Sequence, residues 1–254
     1  MRWQPAELVE ARFETASART LVLRVDNWPG HLPGQHVDVR LTAPDGYQAV
    51  RSYSLAAPAA GDLIELTVQR VPDGEVSGYL VDVLPVGARI EVRGPVGGWF
   101  VWNPDRGGAA VLIAGGSGIV PLTAMLRSRR NSVHTSAFRV IYSLRDPVDL
   151  YYRSEWGDDP VHGRAYTGSD PEPVEDAAVR LFLAYTRSAP LGHPRPPGRL
   201  SAEEIAAHAL PPSPEVTCYV CGPTGFVEFA AAALVSLGHD PAMIRTERFG
   251  PTGK

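Results

Sequence analysis

Short runs of alternating hydrophobic and polar residues, separated by proline and glycine, fill the N-terminal part of the chain. This pattern is typical of the strands of an antiparallel β-barrel or sandwich. One segment, residues 76–84, departs from it because its apolar residues recur at helical spacing. The predicted strands are residues 19–25, 36–42, 50–55, 63–71 and 88–92. The pattern therefore predicts a β-domain that contains one helix.

The pattern changes at residues 102–108, where loop-forming residues are concentrated. Beyond them, helical stretches follow the first, second and fourth of a series of apolar runs, an alternation that predicts a parallel βαβ sheet. These runs are residues 109–114, 138–142, 181–186, 216–220 and 244–249. The last helix opens at Pro223 and Thr224 and ends at Gly238. Residues 188–199, with four prolines, are predicted to form a long surface loop. We expect two domains, residues 1–105 and 106–254.

Composition and charge narrow the class of protein. The chain has 254 residues and a formal net charge of -4, so it has no overall attraction for nucleic acid or for an anionic membrane surface. No stretch reaches the roughly 20 apolar residues that a membrane span needs, and the N-terminus lacks the apolar core of a signal peptide. We expect a cytoplasmic protein that binds neither nucleic acid nor membrane.

Two cysteines, Cys218 and Cys221, have the C-x-x-C spacing of a redox dithiol or a metal site. They lie in a predicted strand, however, where residues three apart point to opposite faces. The seven histidines are scattered singly, so a zinc site would lack further ligands. We predict neither a dithiol nor a metal site.

A glycine-rich turn, residues 115–121, follows the first strand of the C-terminal half and opens a helix. In that context the backbone N–H groups of Gly116 and Gly118 are candidates to bind a dinucleotide pyrophosphate. The third glycine of the usual pattern is replaced by Pro121, which suits a first helical turn because its missing donor is not needed there. A glycine-rich turn without a ligand is the alternative interpretation.

Arginines follow the next two strands. The second strand of this half leads into Ser143 and Arg145 and offers no acid to hold a ribose 2′-hydroxyl. The third strand ends in Thr186 and Arg187, and Arg199 follows the proline-rich loop. Guanidinium groups at this edge of the sheet fit a 2′-phosphate, to which arginine donates two parallel hydrogen bonds. The alternative is that Arg187 and Arg199 are solvated loop cations.

The N-terminal half offers three further elements, each ambiguous by itself. The first places a cation, an aromatic ring and two hydroxyls at a strand end, as Arg51, Ser52, Tyr53 and Ser54. The second, residues 74–77, precedes the helix, whose N-terminal N–H groups could receive a second pyrophosphate that Arg51 neutralises. The third, residues 94–100, reads as a turn.

The order and combination of these motifs resembles the ferredoxin-NADP reductase family across nearly the whole chain. The family's R-x-Y-S, G-x-x-S, G-G-x-G-x-x-P and C-G-P motifs correspond to residues 51–54, 74–77, 115–121 and 221–223. The ending, residues 246–250, resembles the bacterial branch. The resemblance implies the fold class β + α/β: an N-terminal antiparallel six-stranded β-barrel with one helix and a C-terminal parallel-sheet α/β nucleotide-binding domain.

The resemblance also implies which residues hold FAD and a nicotinamide dinucleotide. On the flavin side these are Arg51 at the pyrophosphate, Tyr53 on the isoalloxazine ring, Ser54 near N5, and Gly74, Val76 and Ser77 at the diphosphate. On the nicotinamide side they are Gly116, Gly118 and Pro121 at the phosphates, Thr186 and Arg187 at the 2′-phosphate, and Cys221, Gly222 and Pro223 beside the reactive ring. Ser52, Ser143, Arg145, Arg199 and Phe249 complete the candidate cofactor-binding set.

By the same resemblance, NADPH would bind with its C4 over flavin N5 after moving Phe249. Ser54, Cys221 and Glu247 are the candidate catalytic residues, with Ser54 and Glu247 tuning protonation at N5 and Cys221 shaping the site. A buried structural cysteine is the alternative for Cys221. NADP(H) is favoured over NAD(H) because of the arginines.

The expected function is an FAD-dependent NAD(P)H oxidoreductase that passes electrons to a separate acceptor such as a ferredoxin or an oxygenase component. Two cysteines cannot build the iron–sulfur domain of many oxygenase reductases. Arg2, Arg12, Arg89 and Arg93 offer cations to an acceptor, although no basic run marks a docking patch. A free flavin, a quinone or a dye is an equally compatible acceptor. The alternative function is a non-catalytic FAD-binding electron-transfer subunit of a larger complex.

Overall fold

The structure, a computed structural model, describes residues 1–156 and 178–250. The N-terminal half forms an antiparallel sheet of six strands in the order β4-β3-β6-β1-β2-β5. The strands are β1 (Gln4–Thr15), β2 (Ala18–Arg24), β3 (His36–Thr42), β4 (Gln48–Ser54), β5 (Leu63–Gln69) and β6 (Arg89–Val96). A bridge between Leu55 and Leu66 joins the two edge strands, so the sheet closes into a barrel and leaves no long free edge.

Alternating side chains fill the barrel. On β2 the residues Leu21 and Leu23 are fully buried, and Val37 and Val39 of β3 project into the same interior. Helix α1 (Glu75–Gly78) continues into a π-helical turn, Tyr79–Val83. Its apolar residues join the barrel core, which is why this one helix interrupts the run of strands.

The C-terminal half forms a parallel sheet of five strands in the order β11-β10-β7-β8-β9. The strands are β7 (Ala109–Gly115), β8 (Phe138–Leu144), β9 (Val179–Tyr185), β10 (Val216–Gly222) and β11 (Ile244–Arg248), and the helices are α2 (Ile119–Arg130), α3 (Ala202–His208) and α4 (Thr224–Ser236). Buried residues lie on both faces of this sheet, as expected where helices cover a parallel sheet. Within the described ranges, no helix has the length and apolar content that a membrane crossing requires.

The predicted fold class is confirmed, and most predicted elements lie within two residues of their observed bounds. Two elements were not predicted, β1 and α3. Strand β1 mixes polar and apolar residues and its pairing with β2 shifts register twice, which hides the alternation. Helix α3 begins at a capping box in which Ser201 and Glu204 bond each other's backbone N–H groups, a signal that the sequence does contain.

The helical stretch predicted after the second strand of this half is a partial mismatch. In the described residues that follow β8, the chain forms only two single 3-10 turns, Pro147–Asp149 and Arg153–Glu155. Residues 157–177 lie outside the described residues. The predicted domain boundary at residue 105 falls in the segment that links β6 and β7.

A buried arginine ties the two halves together. Arg127 of α2 donates hydrogen bonds to the carbonyl of Ala56 at 2.9 Å, to Glu65 of β5 at 2.5 Å and to Glu155. Tyr152, under the Arg127 guanidinium, donates its own hydroxyl to Thr67 of β5 at 2.7 Å. Burial opposes the Arg127 charge, but the hydrogen bonds and charges of the two glutamates raise its pKa. The interface therefore contains a fully charged and fully paired cation.

Replacing this cation should destabilise the protein strongly. In Arg127→Ala, two mostly buried carboxylates lose their common partner, and we expect a loss of about 3–5 kcal/mol in the free energy of unfolding. Urea unfolding followed by fluorescence measures it. Arg24→Ala, at an exposed position, is the control and should change stability by less than about 0.5 kcal/mol. Equal stability of the two variants would show that the network contributes nothing.

Candidate functional site

The glycine turn and the C-G-P motif meet at the carboxyl edge of the parallel sheet. A Cβ atom added to Gly118 would lie 2.2 Å from the carbonyl oxygen of Cys221, and one added to Gly222 would lie 3.1 Å from Cα of Gly115. Only glycine permits these approaches. Gly116 has φ +55° and faces open space, so the turn is a cradle that is open on its outer side. Pro121 lies in the first turn of α2, as the sequence predicted.

The predicted cations also come together at this edge. Thr186 and Arg187 continue the pairing of β9 with β8 beyond the end of the strand. Their backbone N–H groups donate to the carbonyls of Leu144 and Arg145 at 2.8 and 3.0 Å. The side chains of Arg145, Arg187 and Arg199 are exposed, and none of them has an acidic partner in the described part of the chain. Ser143 is buried on β8 opposite Gly115.

The sequence analysis missed the residue that orders the proline-rich loop. Arg195 donates to the carbonyls of Tyr185, Gly198 and Arg199 at 2.9 to 3.0 Å and forms an ion pair with Glu204 of α3. An arginine whose donors are consumed by backbone carbonyls fixes a loop rather than meeting a ligand. Arg195 therefore holds Arg199 beside the end of β9. In the sequence, Arg195 is a single arginine among prolines. The sequence alone cannot distinguish an arginine that orders the loop from one that is exposed to solvent.

The barrel presents its own predicted residues on two faces of β4. Tyr53 is half-buried against the barrel core, and burial raises its pKa to about 12. Arg51, on the same face, donates only to the carbonyl of Val50 and has no acidic partner in the described residues. Ser52 points the other way and donates to Asp38 at 2.6 Å. Arg51 and Tyr53 are thus available to a ligand, whereas the Ser52 hydroxyl already serves a surface network.

The turn before α1 is braced by Ser77. Its hydroxyl accepts from the N–H of Val71 at 3.1 Å and donates to the carbonyl of Gly74 at 3.3 Å. A Cβ atom at Gly74 would approach this hydroxyl to 2.5 Å. Val76 is buried in the barrel core. The side chains of Val76 and Ser77 are therefore structural, and only backbone N–H groups remain to meet a phosphate there.

The three predicted catalytic residues lie along one seam between the domains. Ser54 of β4 lies opposite His36 of β3 in the strand register, and Cys221 of β10 lies opposite Glu247 of β11. The two pairs meet because Nδ1 of His36 lies 3.7 Å from Oε1 of Glu247. His36 was not predicted as a site residue, since nothing in the sequence indicates that it faces the last strand. Phe249 donates its N–H to Gly222 and packs against the core that contains Cys221.

Burial controls protonation in this seam. It raises the pKa of Glu247 to about 7 and lowers the pKa of His36, against the opposing charge of Asp38. Burial also raises the pKa of the Cys221 thiol well above its usual range, assisted by the negative charge of Glu247. Cys221 is therefore a neutral thiol, which does not suit covalent catalysis. All three shifts favour uncharged groups.

The C-x-x-C pair does not form a dithiol. Cys218 and Cys221 are both free and buried, and they belong to hydrophobic clusters on opposite faces of the sheet. Cys218 lies instead 3.4 Å from Nδ1 of His239. The opposite orientation predicted from the strand is confirmed.

Comparison with known proteins identifies the family. The family model of the oxidoreductase FAD-binding domain matches residues 5–101. A flavohemoprotein of Pseudomonas putida is 30% identical over 226 residues, which are 86% of this chain and 51% of that protein. The ferredoxin--NAD(P)(+) reductase component of the naphthalene 1,2-dioxygenase/salicylate 5-hydroxylase systems of a Ralstonia species is 26% identical, with 87% of this chain and 61% of that protein covered. The solved structure of the ferredoxin reductase in carbazole 1,9a-dioxygenase matches with a TM-score of 0.76 and 26% identity, over 98% of this chain and 70% of that one.

The N-terminal domain belongs to the family of oxidoreductase FAD-binding domains, and the chain as a whole is similar to ferredoxin reductases. It spans only 51% and 61% of the two curated relatives described above. As in that family, FAD is the cofactor of the N-terminal domain.

The residues that line the seam fit a flavin. Ser54 Oγ and Glu247 Oε2 are both buried and lack a hydrogen-bond partner within the described residues. Such orphaned polar atoms are costly unless another group completes them. They flank the seam from opposite domains, where a polar heteroaromatic ring would satisfy both. The individual binding roles given to the site residues stay predictions.

The raised pKa of Glu247 makes the stability of the protein depend on pH. The folded state keeps a proton that the unfolded chain loses above about pH 4.5, so Glu247 lowers stability as pH rises from about 4.5 to about 7. At pH 8, Glu247→Gln should be more stable than the unchanged protein by on the order of 3 kcal/mol. The difference should vanish below about pH 4.5, because the carboxyl is then neutral in both states. Urea unfolding at several pH values measures it.

The exposed Glu228 on α4 provides the control. Glu228→Gln should show no pH-dependent change beyond about 0.5 kcal/mol. A Glu247→Gln variant whose stability tracks the unchanged protein at every pH would mean that this carboxyl titrates normally.

Proposed function

We propose that this protein oxidises NADPH and passes the electrons through FAD to a separate protein acceptor, a ferredoxin or an oxygenase component. The observation that carries the proposal is the seam, where Ser54 and His36 of the barrel meet Glu247 and Cys221 of the α/β domain. In this proposal, the glycine turn before α2 and the turn before α1 would each hold a pyrophosphate. This arrangement serves two stacked ring systems better than it serves a single ligand.

Curated relatives support the acceptor class. They include proteins named as a glycine betaine monooxygenase reductase subunit and as methane monooxygenase component C. Both names describe components of oxygenase systems. Since this chain spans only part of each relative's length, the acceptor is carried over as a class and not as a particular protein.

The chain's residues would align the reactants and exclude water. When bound, FAD supplies the ability to accept a hydride from a nicotinamide and to release electrons one or two at a time. Cys221, Gly222 and Phe249 would form the wall against which the nicotinamide ring lies, with Phe249 moving to admit it. Alignment in a dry site lowers the barrier without a strong acid or base. The Ser54 hydroxyl would hold the flavin edge, and the Glu247–His36 pair would hold or release the associated proton.

Three exposed arginines support NADPH as the preferred nucleotide. Arg145 follows β8, Arg187 follows β9 and Arg199 is held near the end of β9 by Arg195, and no acid in the described residues neutralises them. A 2′-phosphate is the anion that an uncompensated set of guanidinium groups fits at this edge. NADH lacks that anion.

Removing the Ser54 hydroxyl should slow flavin reduction. With NADPH in excess, Ser54→Ala should reduce its flavin about tenfold more slowly, the effect of losing one hydrogen bond at the reacting edge, while FAD stays bound. Anaerobic stopped-flow absorbance measures the rate. Ser52→Ala, which removes an exposed hydroxyl of the same strand that is hydrogen-bonded to Asp38, should leave it unchanged. Unchanged rates in both variants would remove Ser54 from the mechanism, and a flavin that NADPH cannot reduce in the unmodified protein would favour the non-catalytic subunit.

Removing the Arg187 guanidinium should weaken the preference for NADPH. Loss of a charged hydrogen bond to the 2′-phosphate, worth about 1.5–3 kcal/mol, should lower kcat/KM for NADPH by about 10- to 100-fold in Arg187→Ala. The value for NADH should change little. Arg180→Ala, at the opposite end of the same strand, is the matched control. Steady-state dye reduction with both nucleotides measures it, and a preference of the unmodified protein for NADH would overturn the role of Arg187.

A further inference from the structure

Two arginines lie side by side at the amino end of the parallel sheet, the end opposite to the glycine turn. Arg139 of β8 lies directly opposite Arg180 of β9 in the strand register, and residues so placed point to the same face of a sheet. Their neighbours Phe138 and Val179 belong to the hydrophobic cluster on the other face. Both arginine side chains therefore project from the face on which α3 packs. Neighbouring strands are only about 4.8 Å apart, so the fold brings two like charges close together.

A pocket of about 210 Å³ lies beside the two arginines, and the end of α3 and the residues that follow it form part of its wall. The ring of His208 stacks on that of Phe182, with the ring centres 3.7 Å apart, so this wall is held against the sheet. The lining residues include Arg139, Arg180, Phe182, His208, Leu210 and Pro211. Pockets for drug-sized ligands measure roughly 300–1,000 Å³. This pocket is therefore suited to a smaller ligand.

Neither guanidinium group has an acidic partner anywhere in the residues that the structure describes. Nη1 of Arg139 donates to the carbonyls of Phe138 and Ala178, both at 3.0 Å, which fixes the group through one of its three nitrogens. Burial and the positive charge of Arg180 lower the pKa of Arg139. By contrast, the pKa of Arg127, which pairs with two glutamates, is raised. The arginine pair is thus a partly fixed positive site without a counter-ion.

We infer that Arg139 and Arg180 form a binding site for a small dianion, either a phosphate or a dicarboxylate. A guanidinium group can bind an oxyanion through two parallel hydrogen bonds. Two such groups side by side can therefore meet both charges of a dianion. Like charges directly opposite each other on neighbouring strands destabilise a sheet, and a bound dianion would remove this repulsion.

The site is separate from the nucleotide edge and does not depend on the proposed function. Arg180 is the second residue of β9, whereas Arg187 lies beyond the carboxyl end of that strand. Seven residues of extended chain span about 23 Å. One small ion cannot contact both arginines.

The test measures dianion binding to the FAD-loaded full chain in the presence of saturating NADP⁺, which would occupy the nucleotide edge. The probes are inorganic phosphate and malonate at pH 8, with sodium chloride added to keep the ionic strength constant. An ion that binds only the folded state raises the melting temperature as its concentration increases, which gives an apparent dissociation constant. At least one of the two dianions should bind saturably, and the tighter one distinguishes a phosphate from a dicarboxylate site.

Variants locate the bound ion. Arg180→Gln should weaken binding of that dianion about 10- to 100-fold, the effect of losing a charged hydrogen-bond donor. Because Arg180 is exposed, its replacement should leave the fold intact. Arg139→Lys should retain part of the affinity, since it keeps the charge but not the planar fork. Arg24→Gln, at an exposed position of β2, is the matched control and should bind the dianion as the unmodified protein does.

Three results would overturn the site. The first is the absence of saturable binding of both phosphate and malonate to the unmodified protein. The second is an equal affinity of Arg180→Gln and the unmodified protein for the dianion. The third is binding that Arg187→Ala loses and Arg180→Gln keeps, which would place the ion at the nucleotide edge instead.

Discussion

The site depends on a buried cation that belongs to neither of the two ligand cradles. Arg127 reaches from α2 into the edge of the barrel and binds Glu65 and a backbone carbonyl there. Glu65 and Glu155 are mostly buried and share this guanidinium, so moving the domains apart would cost the carboxylates a close ion pair and the network tolerates little relative displacement. This constraint matters because Ser54 and Cys221 belong to different domains. Their common seam exists only while the domains keep one orientation.

The close approach of two backbone segments is the second feature on which the site depends. Gly118 lies against the carbonyl of Cys221, and Gly222 lies against Gly115. The phosphate turn and the strand end that carries Cys221 are therefore one rigid unit. A nucleotide gripped at its phosphates by this unit would have its ring directed to Cys221 without further adjustment. The glycines thus act by permitting contact between two loops as well as by exposing N–H groups.

The sequence was most informative where a local pattern suffices. Alternation predicted β3, a continuous apolar run predicted β7, and the glycine spacing predicted the turn before α2, because all three patterns depend on neighbouring residues only. Local patterns could not predict that His36 meets Glu247, since a contact between strands of different domains has no signature in sequence spacing. Arg195 shows the same limit, because its role depends on carbonyls that the loop brings around it. The sequence at the start of α3 does contain a capping box, which is a local signal for the beginning of a helix.

The electrostatic character of the seam fits the proposed hydride transfer. Burial raises the pKa of Glu247 to about 7 and lowers that of His36, so these groups carry less charge near neutral pH than they would in water. A hydride carries its electrons as a pair and is best transferred in a dry site without a competing charge. Strand β11 contributes to this environment directly, because Glu247 faces the seam and Phe249, two residues further along the chain, packs against the core that contains Cys221. The carboxyl that would hold a proton and the ring that would move to admit the nicotinamide are therefore carried by one short segment.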